Sequence, residues 1–196
     1  MTDPLAVCVD SVASSLAATR GGADRLELCA DLIIGGTTPS LALVRLVKAE
    51  TGLPVRALLR PRFGDFCYDR YELAQMAETA AELVQAGADG IVTGVLTPEG
   101  ELDANALRPI YAAARAAAKA AGRPIVCTLH RAFDVCKDPF AALEAAKALN
   151  LGTILPSGQA ASAPAGASLL RRLVEAAGPD LEILVGAGVT PANLPA

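Results

Sequence analysis

The chain has 196 residues, 53% of them hydrophobic, and a formal net charge of −4. That is enough to bury one large core in a single domain spanning residues 1–196. Without basic clusters, the acidic balance gives no footprint for nucleic acid or an anionic membrane surface.

From the N-terminus, Asp3 and Asp10 flank the first apolar run, which does not suit a secretory leader, so a cytoplasmic protein is expected. Strand-like runs follow at Leu5–Asp10, Arg25–Cys29, Val55–Arg60, Gly90–Val95, Ile125–His130, Thr153–Ser157 and Glu182–Gly188, with helix-like stretches between them. Between the third and fourth runs, Leu73, Met76, Ala80, Leu83 and Val84 share one helical face, leaving Glu72, Glu78 and Glu82 for solvent. Thr38-Pro39, Asp138-Pro139 and Thr190-Pro191 each read as an N-cap followed by proline at the first helical position. The uncharged stretch Ala148–Leu170 is broken by Gly, Pro, Ser and Gln and reads as strand and loop, not as a membrane span. This βα rhythm predicts an α/β fold, a TIM (β/α)8-type barrel with about seven parallel strands, over a doubly wound sheet.

The stretch Gly21–Ser40 carries the strongest functional signal. Alternation puts Leu26 and Leu28 on one face of the second strand and Arg25, Glu27 and Cys29 on the other. In a strand covered by helices, the polar face looks into a lumen or crevice. The five cysteines, Cys8, Cys29, Cys67, Cys127 and Cys136, are odd in number and lack C-x-x-C spacing, so they are expected as reduced thiols.

Several segments, in this order, resemble the CutC family: LAVCVDSVASSLAATRGGADRLELCADLIIGGTTPS, LLRPRFGDFCYDR, GADGIVTGVL, TLHRAFDVCKDP, SGQ and GAGVTPANL. The resemblance implies a TIM barrel, a cytoplasmic homo-oligomer and a role in copper homeostasis, with Cys8 and Cys29 matching the family's proposed copper ligands. The family has Glu where this chain has Ala6 and Thr where it has Pro156. It also continues into an eighth strand with a further histidine, so a chain incomplete after strand seven is expected, with its first and seventh strands left as open edges.

Three groups of candidate residues result. Cys8 and Cys29 lie on adjacent strands and the same face, and two inward thiols at similar height would suit soft Cu(I). Glu27, Arg60 and His130 fall on the inward phase near strand ends, and Arg131 and Asp134 follow in the next loop. His130, the sole histidine, is the candidate acid or base, Glu27 its partner, and the arginines the holders of a carboxylate or phosphate. Asp10 joins this mouth, and Ser157, Gly158, Gln159, Gly186 and Gly188 form glycine-rich loops of the kind that cradle phosphate. The functions left open are a Cu(I)-handling protein, a barrel enzyme acting on a small anionic metabolite, and a shortened chain without activity.

Overall fold

A computed structural model describes residues 4–190 and 192–193, in which seven strands alternate with six α-helices. The chain clusters into two compact units, Met1–Thr93 with Arg108–Val126, and Gly94–Leu107 with Cys127–Ala196.

In the first unit, β1 (Ala6–Val9), β2 (Arg25–Leu28), β3 (Val55–Leu58) and β4 (Gly90–Thr93) pair in chain order, all parallel. Cys8 stands opposite Glu27, and Glu27 opposite Arg56. All of β2 is buried, its leucines in the core and its charges on the other face, as the alternation predicts. Each strand is shorter than its apolar run because the ends leave the ladder for loops. The Arg60 carbonyl, for example, accepts from the Thr38 N–H and its own N–H donates to the Thr38 hydroxyl, in place of pairing with β4.

Helix α1 (Val12–Arg20) starts at a Ser11/Ser14 capping box. Helix α2 (Leu41–Thr51) is capped by Ser40, not by Thr38 followed by Pro39 as the sequence suggests. The reason is tertiary: the Thr38 hydroxyl accepts from the Arg60 N–H, so it cannot cap a helix. Helix α3 (Arg70–Gln85) begins at an Asp69/Glu72 capping box and buries Met76, Ala80, Leu83 and Val84 of the face read from the periodicity, while Leu73, in the first turn, is only half-buried. Helix α4 (Ala104–Ala120) stays helical through Pro109.

The second unit pairs β5 (Val126–Leu129), β6 (Thr153–Ile154) and β7 (Glu182–Ile183), again parallel and in chain order. The last two are only two residues long. Pro156 has no N–H to extend β6, and the positive φ of Ala187 and Gly188 turns the chain soon after β7. Helix α5 (Pro139–Ala148) has the expected Asp138 cap, whose carboxylate accepts from Phe140 and Ala141. Helix α6 (Ala163–Ala177) takes the end of the uncharged stretch that reads as loop, with Pro164 in its first turn. The Thr190 carbonyl accepts from the Asn193 N–H, and Pro191, the proposed start of a further helix, lies outside the described residues. No described helix is long and apolar enough to cross a membrane.

Candidate functional site

In the first unit the polar side chains stand on strands. Glu27 is buried, 3.8 Å from the Arg25 guanidinium and 3.9 Å from that of Arg56. The Arg56 chain runs across the space a Cβ on Gly90 would occupy, 2.7 Å from its Cγ. Sequence reasoning missed Arg56, although on β3 it is in phase with Arg60 beyond the strand's end.

Cys8 and Cys29 face the same side, but the register sets Cys8 beside Glu27 and places Cys29 two residues further along. With strands ~4.8 Å apart and ~3.3 Å of rise per residue, their Cα atoms are diagonal neighbours about 8 Å apart, not level ones. Cys29 is buried, its thiol directed at the Val9 carbonyl 3.6 Å away. Cys8 keeps contact with solvent although protein crowds it closely. Desolvation, then the Glu27 carboxylate, pushes the Cys8 thiol up to about 11. Desolvation, followed by Cys8, Asp10 and Asp31, pushes Cys29 up to about 12. Both are therefore protonated at neutral pH, in a field of carboxylates that disfavours thiolate and favours a cation. Among the described residues, no group of three or more His, Cys, Asp or Glu side chains is arranged to hold a metal ion. A metal at Cys8 and Cys29 would rest on two thiols.

Arg60 is buried and tied to loops. Its Nη1 donates to the Gly36 carbonyl (3.3 Å) and its Nη2 to that of Gly64 (2.8 Å), while the guanidinium lies 4.9 Å from the Phe66 ring centre. It thereby staples the β2–α2 loop to the β3–α3 loop. Asp10 is exposed, its carboxylate 3.4 Å from the Ser14 hydroxyl.

In the second unit the polar groups stand on turns. His130 caps the 3₁₀ turn Arg131–Val135, its Nδ1 accepting from the Ala132 N–H at 3.1 Å. That bond assigns the proton of the neutral ring to Nε2. Gly94 makes the ring's position possible, because a Cβ there would lie 2.7 Å from Nδ1. Asp134 is a hub: Oδ1 accepts from the backbone of Ser157 (2.7 Å) and Gln159 (3.1 Å), and Oδ2 from Arg131 Nε (3.0 Å). Arg131 Nη2 also donates to the Ser157 hydroxyl at 3.2 Å, and the arginine side chain remains 46% exposed. The Gln159 side chain donates to the Cys136 carbonyl.

The glycines make room for protein. A Cβ on Gly158 would lie 2.4 Å from the Gly166 carbonyl oxygen, one on Gly186 2.7 Å from Leu155, and one on Gly188 2.9 Å from Ser162. Cys127 and Cys136 are buried and Cys67 half-buried.

A model described as the CutC family matches residues 4–196. A Chromobacterium violaceum protein named as a family protein CutC is 44% identical over 190 residues, which are 97% of this chain and 74% of that one. A human protein named copper homeostasis protein cutC homolog is 42% identical over 188 residues, 96% of this chain and 66% of its own. Among solved structures, a CutC protein of Streptococcus agalactiae superposes with a TM-score of 0.87 at 29% identity, covering 97% of this chain and 90% of that one. A 2,3-dimethylmalate lyase of the PEP mutase/isocitrate lyase superfamily superposes at 0.63 with 16% identity, covering 96% and 78%, a likeness of fold alone. The fold is thus α/β of the TIM-barrel type, with seven parallel strands among the described residues.

Proposed function

The chain belongs to the CutC family, and on that premise we propose that it handles copper as a cytoplasmic protein, binding Cu(I) as cargo between the Cys8 and Cys29 sulfurs. The observation that carries this reading is the same-phase placement of Cys8 on β1 and Cys29 just past the end of β2, with Cys29 close enough to feel Cys8, Asp10 and Asp31 electrostatically. Thiolate is a soft donor suited to Cu(I), and the surrounding negative field favours a monocation over two bare thiolates. The diagonal spacing calls for both side chains to lean toward each other, which two sulfurs bridged by one ion would do.

Both thiols are protonated at neutral pH, so binding Cu(I) as a dithiolate releases two protons. The apparent affinity should then rise about 100-fold per pH unit below pH 9. The test is competition against a coloured Cu(I) chelator at pH 6.5, 7.5 and 8.5, using the full chain and the variant carrying Cys8→Ser and Cys29→Ser. Loss of copper in the variant and the steep pH slope are expected; retention by the variant, or a flat profile, removes the two thiols from copper handling.

A second reading, an enzyme acting on a small anionic metabolite, is favoured by Arg131. Its guanidinium is held by Asp134 and Ser157 yet half-open to solvent, an arrangement suited to a carboxylate or phosphate. In that reading His130, on the same turn as Arg131, acts as a neutral Nε2–H donor. Assembly into a homo-oligomer is part of either proposal.

A further inference from the structure

In the first unit a cavity of about 340 Å³ opens between the β2–α2 loop and α3, with Leu59, Pro61 and Met76 as apolar lining. Five polar residues complete it: Asp31, Thr37 and Thr38 on the loop, and Gln75 and Thr79 on the helix. Gln75 and Thr79 are four residues apart, so α3 presents an amide and a hydroxyl from adjacent turns on the same side. We propose that this cavity binds a small uncharged polyhydroxylated molecule of monosaccharide size.

Three features support that chemistry. The volume lies at the lower end of ligand pockets, roughly 300–1,000 Å³, which fits one small ring. Asp31 is the only charged residue among those lining the cavity, so a phosphate or carboxylate ligand would meet repulsion, whereas a carboxylate readily accepts hydrogen bonds from hydroxyls. A single carboxylate beside hydroxyls, an amide and an apolar floor matches the mixed C–H and O–H surface of a sugar ring better than it matches a compact cation, which needs several acceptors.

The polar loop is also held in place before any ligand arrives. Ala30 and Thr37 exchange two backbone hydrogen bonds of 2.9 and 2.8 Å, closing the loop at its base. The Thr37 hydroxyl donates to Asp31 Oδ2 at 2.7 Å, orienting the carboxylate while leaving Oδ1 for another donor. Thr38 is bonded to the Arg60 backbone in both directions, and the Arg60 side chain grips Gly36. Preorganisation of this kind lowers the ordering cost of binding. Asp31 adopts the left-handed conformation, φ 50°, which asparagine also tolerates. Asp31→Asn therefore keeps the fold while removing the charge.

The experiment is saturation-transfer NMR and amide-shift mapping on the full chain, with D-glucose, D-ribose and myo-inositol as polyol probes. Inorganic phosphate and putrescine serve as the anionic and cationic comparisons. At least one polyol should shift the Asp31, Thr37, Gln75 and Thr79 amides, and Asp31→Asn should weaken that binding about tenfold or more. Gln75→Leu, on the exposed side of a well-capped helix, should weaken it as well and provides a second reading of the same site. Silence from all three polyols, a stronger response to phosphate or putrescine at these amides, or wild-type affinity in both variants would overturn the assignment.

Discussion

The two units hold their charges in different ways. In the first, Arg25, Glu27 and Arg56 project from strands, so parallel register alone fixes which side chains meet, and they meet out of water. In the second, Arg131 and Asp134 follow β5 on a turn, and their places are set by hydrogen bonds to another loop, at Ser157 and Gln159. The strand-borne group is rigid and depends on charge balance. The turn-borne group depends on hydrogen-bond acceptors and keeps its arginine half-open to solvent. Function that needs an exposed, oriented guanidinium is therefore better served by the second arrangement, and a field that acts on a neighbouring thiol by the first.

Matched charge removals in the two units test this contrast most sharply. Glu27→Gln leaves two buried guanidiniums without the carboxylate between them, and about 3 kcal/mol of stability should be lost. Urea unfolding measures it, and a loss below about 1 kcal/mol would mean that the strand-borne charges are balanced by other groups. Asp134→Asn keeps an oxygen to accept from Ser157 and Gln159 but turns an NH2 toward Arg131 Nε, so the half-exposed arginine loses that hydrogen bond and swings into solvent. Its cost should be about 1 kcal/mol or less. If the two substitutions cost the same, the contrast between strand-borne and turn-borne charge fails.

The same contrast explains what was legible in the sequence. Alternation along β2 separates Leu26 and Leu28 from Arg25, Glu27 and Cys29, because a buried strand has only two faces. Arg56 carries the same signal as Arg60, but alternation alone does not say which arginine of one face stands level with Glu27 on the neighbouring strand. Relative height was not legible: spacing along the chain places Cys8 and Cys29 on one face, but only the register shows that Cys8 is level with Glu27. On the turns, sequence marks where glycine occurs without saying what approaches it. The space beside Gly158 belongs to the backbone of Gly166, and that beside Gly186 to Leu155. Thr38-Pro39 reads as a helix start until Arg60, 22 residues away, takes the threonine hydroxyl. Long-range hydrogen bonds override local cap signals wherever the loop is folded back on its neighbour.

On the turn-borne side, Gly94 leaves the room that the His130 ring occupies. A methyl group added there would stand 2.7 Å from His130 Nδ1 and 2.9 Å from the Ala132 Cβ. Something must move, and the imidazole is freer to turn than the 3₁₀ turn it caps. Displacing it breaks the bond from the Ala132 N–H, the interaction that places the ring proton on Nε2. Gly94→Ala should therefore cost about 1–2 kcal/mol through overpacking and shift the neutral ring toward a mixture of tautomers. Because His130 is the sole histidine in the chain, ¹⁵N labelling of histidine gives a single imidazole spectrum without assignment. In the parent protein it should report the Nε2–H form, and in the variant a loss of that form. An imidazole spectrum unchanged by the substitution would show that the ring is oriented by something other than the turn, and the division between strand-borne and turn-borne groups would lose its second half.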